Sequence, residues 1–260
     1  MSASERVKPD LPDGFEALAE AQQRRRQRSR LLQRGNGADQ HLGIKLANCR
    51  KGRRCGSEAD PICIGKFRLW LYRQALPIFA SRPHWTRASI VTAGVLIRYG
   101  QLHSFNLHAF VKRIAKRLER SSLRNRIMFC GVDVSLNLRN NVIIGWQFHL
   151  YVLIEGRSTT ALHEALKAAF PPEPTAKAPY KFRLAADPES AITYLYKSMF
   201  CRRSEYTAPN GKRRTKIQPL KGPELRELLV FLDRYPIGTR LILRGLRRDG
   251  KHLIPTRTKQ

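Results

Sequence analysis

The chain has 260 residues, of which 49 are lysine or arginine and 20 are aspartate or glutamate, so its formal net charge is +29. The hydrophobic fraction of 42% is sufficient for a folded core, while no run approaches the roughly 18 apolar residues that cross a bilayer. These values argue against a membrane protein. They predict a cytoplasmic protein whose partner is a polyanion, with nucleic acid as the first expectation.

Residues 1–40 are predicted to be a basic N-terminal arm. Their helical composition places arginines on nearly every face, and a helix that is polar all round buries little surface. Two compatible interpretations follow: a solvated helix or disordered segment, and an arm that binds phosphate groups.

Residues 41–66 hold three of the five cysteines and are predicted to form a Cys-rich knuckle. The predicted zinc ligands are Cys49, Cys55, Asp60 and Cys63. Structural zinc takes four tetrahedral ligands, and Asp60 stands three residues before Cys63, where the fourth would fit. Two alternatives remain open: His41 as the fourth ligand, and a basic loop with free thiols and no metal.

Residues 67–250 are predicted to form the main domain, and residues 251–260 a basic tail. Periodicity and helix-start signals predict helices at 66–76, 104–121, 158–170, 187–200 and 222–235, and strands at 88–97, 126–138, 142–156 and 239–252. Ser104 is the expected cap of the second helix, and Ser158 or Thr159 of the third. The turn signal at 139–141 makes 126–156 a β-hairpin. This order favours an α+β fold with a central antiparallel or mixed sheet and helices packed on one face.

Polar side chains share one face of the predicted hairpin. His149 and Tyr151 lie two residues apart on a strand, so both project to the same side. Asp133 lies on the partner strand, where cross-strand neighbours approach to about 5 Å, so its carboxylate is expected to meet His149. A metal site and a histidine hydrogen-bonded inside a sheet are both compatible with this pattern.

The predicted helix at 187–200 carries a tyrosine and a lysine three residues apart, Tyr194 and Lys197, which places them on one helical face. A phenol beside an ammonium group is suited to attack on phosphate, because the lysine neutralises the charge that develops. Tyr196 is the alternative nucleophile. Tyr194 is preferred because it shares a face with Lys197.

The motifs SIVTAG, GVDVSLN, GWQFHLY and YLYK, preceded by a Cys-rich knuckle, occur in an order that resembles the HUH endonucleases, which include rolling-circle replication initiators and single-strand transposases. The resemblance covers roughly residues 45–250. It implies a catalytic Mg²⁺ or Mn²⁺ held by His149, Tyr151 and Asp133, with Tyr194 as nucleophile and Lys197 as its helper. The chain departs from the family pattern at Tyr151, where a second histidine is expected, and at Asp60, where a cysteine is expected.

The resemblance implies a replication initiator-like protein that nicks and joins single-stranded DNA through a phosphotyrosine intermediate. The expected partners are single-stranded or hairpin DNA and host replication proteins. The expected DNA-binding residues are Arg24, Arg25, Arg26, Arg53, Arg54, Arg202 and Arg203. One alternative is a nucleic-acid-binding protein that retains the scaffold and has lost cleavage. Another is a basic RNA-associated protein with a zinc knuckle.

Overall fold

The computed structural model describes residues 11–93, 96–174, 176 and 178–256. The helices among them are α1 (Leu18–Gln33), α2 (Ala38–Ala47), α3 (Pro61–Ala80), α4 (Leu107–Arg120), α5 (Thr160–Ala169), α6 (Pro188–Leu195) and α7 (Gly222–Asp233). The strands are β1 (Trp85–Ile90), β2 (Leu96–Ile97), β3 (Met128–Arg139), β4 (Val142–Glu155), β5 (Tyr180–Leu184), β6 (Cys201–Thr207), β7 (Arg213–Pro219), β8 (Leu241–Arg244), β9 (Leu246–Asp249) and β10 (His252–Pro255). None of the described helices combines the length and apolar character needed to cross a membrane.

The predicted α+β fold is confirmed, with the β3–β4 hairpin at the centre of its sheet. The main strand order is β5-β1-β4-β3-β6-β7, while β2 pairs with β4 and β8 with β3. The hairpin turns at Asn140 and Asn141, whose positive φ values of 49° and 66° suit a tight turn between twisted strands. The sheet is mixed, because β6 runs parallel to β3 while the other strand pairs are antiparallel.

One face of the sheet packs against α4, α5 and α7. The buried stripe of α4 is Leu107, Phe110, Ile114 and Leu118, at the spacing the sequence predicts. Asn106, not Ser104, caps this helix by accepting a hydrogen bond from Ala109 N at 2.9 Å. Thr159, one of the two residues expected to cap α5, is its N-cap.

The second face of the sheet is only half covered. Helices α3 and α6 pack over the half that contains Phe129 and Leu153, in a separate apolar cluster. The sequence predicts helices on one face of the sheet, whereas the folded chain has helices on both faces, for a physical reason. Helix α3 buries apolar residues through most of its length, so it needs a second apolar surface to cover it. The remaining half carries polar side chains, among them the buried Ser135, Gln147 and His149, and a cavity opens onto it.

The N-terminal segment differs from the expected arm, because α1 is a packed helix. Leu32 lies in an apolar cluster with Leu229 of α7, and Ser29 Oγ donates to Gly43 O of α2 at 2.8 Å. Arg28 is buried and donates to Ala59 O at 2.9 Å. The first ten residues of the arm lie outside the described part of the chain, as do residues 257–260 of the tail.

Candidate functional site

Four side chains of the Cys-rich segment converge on one point. Cys49, Cys55, Asp60 and Cys63 place their ligand atoms within 4.8 Å of one another. The Sγ atom of Cys63 lies 3.6 Å from that of Cys49 and 3.7 Å from that of Cys55. Disulfide sulfurs lie about 2.0 Å apart, whereas tetrahedral Zn–S bonds of about 2.3 Å give S···S edges of about 3.8 Å. The four groups could therefore hold a metal ion.

The start of α3 aims the carboxylate of this cluster. Asp60 is the N-cap of α3, and its Oδ1 accepts from Ile62 N at 2.7 Å and Cys63 N at 3.1 Å. The cap leaves Oδ2 directed at the cluster, 3.5 Å from Cys55 Sγ and 3.5 Å from the guanidinium of Arg25. The expected fourth ligand Asp60 is thus in place, whereas the alternative, His41, is exposed and outside the cluster.

The thiols of the cluster also differ in acidity. A hydrogen bond from the Cys55 thiol lowers the pKa of Cys63 to about 6, and the same bond raises the pKa of Cys55. Burial raises the pKa of Cys49. Cys63 is therefore the most acidic of the three thiols, and an incoming cation would displace the thiol protons of the cluster.

A second group of residues lies on the open half of the sheet. The hairpin register places Asp133 opposite His149, and Gly131 opposite Tyr151, so the expected cross-strand pair of Asp133 and His149 is present. The two side chains bind other partners, however. His149 Nε2 lies 2.7 Å from Ser135 Oγ, and Asp133 Oδ2 lies 3.2 Å from Lys197 Nζ.

Tyr194 and Lys197 reach this face because the C-terminal end of α6 packs unusually close to β3. A Cβ atom at Gly131 would stand 1.8 Å from Leu195 O, so only glycine permits this approach. The helix ends at Leu195, five residues earlier than expected, and Lys197 follows it. Lys197 Nζ nevertheless lies 3.7 Å from the centre of the Tyr194 ring. That ring is 46% exposed and lies 4.6 Å from the ring of Tyr151.

Tyr196, the alternative nucleophile, lies in the core. It is 1% exposed, and its hydroxyl donates to the carboxylate of Glu58. Arg240 stacks over the same ring at 4.3 Å and donates to Glu58 Oε2 at 2.6 Å, to Val132 O and to the carbonyl of Lys197. Of the two tyrosines, only Tyr194 is accessible to a polymer. The sequence gives no signal for Glu58 or Arg240, because they are far apart in the chain.

His149 is held neutral. Burial lowers its pKa to about 4, and the nearby charge of Arg203 acts in the same direction. The Ser135 hydroxyl donates to Asn137 Oδ1 at 3.1 Å, so in its bond with His149 it is the acceptor. The imidazole then carries its proton on Nε2. Three polar side chains thus form one hydrogen-bonded row along the sheet.

The residues expected to hold Mg²⁺ or Mn²⁺ offer an incomplete ligand set: Asp133 Oδ1 is buried without a hydrogen-bond partner in the described part of the chain, but the neighbouring ligand atoms are engaged. His149 Nε2 is engaged by Ser135, and Asp133 Oδ2 by the ammonium group of Lys197. Burial raises the pKa of Tyr151, so its phenol keeps its proton. Among the described residues, the cysteine cluster is the one group of three or more His, Cys, Asp or Glu ligands that converges on a point. Lys197 places a cation beside Asp133 on this face.

The arginines expected to bind DNA lie in two places. Arg25, Arg26, Arg53 and Arg54 lie around the cysteine cluster, with Arg24 also on α1, and Arg202 and Arg203 lie on β6. Some are engaged within the protein: Arg24 pairs with Glu16 at 3.0 Å, and Arg202 with Glu224 at 3.4 Å. Arg203 faces the polar half of the sheet, beside His149.

Comparison with known proteins adds nothing to this geometry. The chain matches no protein-family model, no curated protein and no solved structure. Function is therefore inferred from the residues and their arrangement.

Proposed function

We propose that this chain binds single-stranded DNA on the polar half of its sheet, and that a structural zinc ion in the cysteine cluster supports the fold beside it. The observation that carries the proposal is the exposed ring of Tyr194 with the ammonium of Lys197 against it. Single-strand-binding proteins combine aromatic rings that stack on bases with cations that follow the phosphates.

The surroundings of Tyr194 support this proposal. The net charge of +29 attracts a polyanion from a distance. Tyr151 supports one side of the Tyr194 ring and Lys197 lies against it, so the ring is held in place before a base arrives. An unpaired base can reach the exposed ring of Tyr194, whereas bases in a duplex expose only their edges in the grooves. The motif order that resembles the HUH endonucleases favours DNA over RNA.

Binding is tested with one labelled oligonucleotide in single-stranded, hairpin and duplex forms, and with RNA of the same sequence as competitor. We expect the single-stranded or hairpin DNA to bind most tightly by fluorescence anisotropy. Tyr194→Ala should weaken binding by about 1–3 kcal/mol, the range of one base–aromatic stack. Lys116→Gln is a control for charge, because Lys116 is exposed on α4, which packs on the opposite face. Equal loss in both variants would contradict the proposal.

The zinc proposal depends on the geometry of the cluster. Three sulfurs and one carboxylate oxygen lie at the edge lengths of a small tetrahedron, all within a buried or half-buried pocket. Closed four-ligand sites of this kind are structural, because no position is left for a substrate. Mass spectrometry under native conditions should find one zinc per chain, and Cys63→Ser should lose it. A metal-free protein with unchanged stability would overturn the proposal.

A second candidate function is strand transfer through Tyr194, and the Tyr194–Lys197 contact favours it. The phenolic oxygen would attack phosphorus and release the 3′-oxygen, giving a 5′-phosphotyrosyl bond and a free 3′-hydroxyl. The phenol proton leaves to solvent, and the 3′-oxygen takes one up. Lys197 would neutralise charge on the phosphoryl group. Because the divalent-ion ligand set on the sheet face is incomplete, this reaction would use the ammonium group of Lys197 as its cation.

A denaturing gel separates the two candidate functions. Strand transfer predicts a covalent band with labelled single-stranded DNA that Tyr194→Phe abolishes and Tyr196→Phe retains. Tyr194→Phe keeps the ring and should still bind DNA in a native gel. Binding without any covalent band, with or without Mn²⁺, would leave the binding function and eliminate strand transfer.

A further inference from the structure

A cavity of about 300 Å³ opens on the same face of the sheet, on the other side of His149 from Tyr194. Its polar lining comes from Asn137, Arg139, Gln147, His149, Arg203, Glu205 and Thr215, and its apolar walls include Val91, Leu96 and Ile144. The cavity begins at Gln147 and His149 on β4, whereas Tyr194 contacts Tyr151. At about 3.3 Å per residue, Gln147 and Tyr151 lie roughly 13 Å apart along β4.

Arg203 contributes a positively charged hydrogen-bond donor to the lining of the cavity. Its Nε atom is buried and has no hydrogen-bond partner within the described part of the chain. Its charge is close enough to His149 to lower the pKa of that imidazole, although burial is the larger cause. A buried donor without an acceptor costs free energy. A ligand that brings acceptor atoms would recover this energy.

Glu205 offers the opposite chemistry from the same strand. It lies two residues after Arg203 on β6, so both side chains project to the same face of the sheet. Its carboxylate is 3.9 Å from the guanidinium of Arg139, and both side chains are about half exposed. Exposed pairs of this kind contribute little and exchange readily. The cavity thus presents a donor group and an acceptor group between apolar walls.

We propose that this cavity receives one unpaired base of the bound strand, and that guanine is the base it prefers. Guanine offers the acceptors O6 and N7, which arginine contacts with two parallel hydrogen bonds. Its N1–H and N2–H groups would donate to the carboxylate of Glu205. Val91, Leu96 and Ile144 would contact the faces of the ring. The volume is at the lower end of the range for ligand pockets, which suits a single base. This inference rests on the proposed binding of single-stranded DNA.

The test compares oligonucleotides of thymidine that carry one central dG, dA or dC, or none, at a fixed salt concentration. Their charge is identical, so counterion release contributes equally to each. We expect the dG oligonucleotide to bind about tenfold more tightly than the others, as one bidentate contact predicts. Arg203→Gln and Glu205→Gln should each remove most of this preference. Lys216→Gln should not, because Lys216 is exposed on β7 and pairs in register with Ser204, on the opposite face from Arg203.

The outcomes are distinguishable. Equal affinity of the wild-type chain for all four oligonucleotides would overturn the base pocket and leave the proposed binding function intact. A dG preference that survives in Arg203→Gln would place the recognition elsewhere and overturn the assignment to this cavity. If none of the oligonucleotides binds, the proposed function itself fails. The wild-type measurement decides the first outcome even if a variant does not fold.

Discussion

The cysteine cluster and the polar sheet face both carry groups that bind metals, yet they are built differently. In the cluster, one carboxylate oxygen of Asp60 accepts the hydrogen bonds that cap α3, and the other oxygen faces the thiols. On the sheet, Asp133 gives an oxygen to Lys197, and His149 bonds to Ser135. The first arrangement leaves ligand atoms facing a common centre. The second engages His149 with Ser135 and one oxygen of Asp133 with Lys197, and it leaves only Asp133 Oδ1 of that pair without a partner in the described part of the chain.

Residue type alone does not define a metal site. Ligand atoms must converge without stronger internal partners, because a cation can bind only lone pairs that remain free. A lysine beside a carboxylate supplies the positive charge that a divalent ion would otherwise supply. The sheet face therefore retains a cationic centre suited to phosphate without the ligand set of a metal.

The largest expected effect comes from breaking the cysteine cluster. Cys63→Ser removes a ligand from a buried site, and we expect the free energy of unfolding to fall by about 3 kcal/mol or more, since structural zinc sites contribute heavily to folding. Thermal unfolding with and without a chelator measures it. Cys201→Ser is the matched control, because Cys201 lies on β6 outside the cluster. A chelator that leaves the wild-type melting temperature unchanged would refute this expectation.

The next largest effect is expected when the buried ion pair of Glu58 and Arg240 is broken. Glu58 of the knuckle loop and Arg240 are each about 2% exposed at their side chains and are 2.6 Å apart. Arg240→Met leaves a buried carboxylate unpaired and should cost about 3–5 kcal/mol. Urea denaturation measures the loss. The double variant Glu58→Met with Arg240→Met should recover part of it, and a double variant as unstable as the single one would contradict this account.

Acid should weaken the sheet face through His149. The folded-state pKa of about 4 lies below the ordinary 6.5, so the folded chain binds fewer protons in this range. The contribution of the neutral imidazole is complete above pH 6.5 and is lost as the pH falls to about 4. The expected decrease in the free energy of unfolding is up to about 3 kcal/mol. His149→Gln should show a flatter pH profile by chemical denaturation, and identical profiles would exclude this origin.

The smallest effect is expected for Asp133 and Lys197. Their side chains are 15% and 22% exposed, so solvent screens the pair partly. A double-mutant cycle with Asp133→Asn and Lys197→Met should give a coupling energy of about 1 kcal/mol. A coupling of zero would mean that Lys197 does not neutralise Asp133, which would reopen the face to a divalent ion.

Local patterns predicted much of the fold and some of the candidate site. The stripe on α4, the hairpin at the asparagine turn and the Asp60 position all follow from spacing over a few residues. The contact between Tyr194 and Lys197 was also expected, although Lys197 lies beyond the end of α6. Packing of α1 and half-coverage of the second sheet face were not predicted, because they depend on apolar surfaces far away in the chain.

Composition and short-range periodicity were sufficient to predict the α+β class, the strong positive charge and the four candidate zinc ligands. They could not predict which tyrosine is accessible, which cation faces Asp133 or where the cavity beside Arg203 opens. Those outcomes depend on contacts such as Arg240 with Glu58, 182 positions apart. No local pattern encodes such a pairing, since it forms only when separate elements pack together.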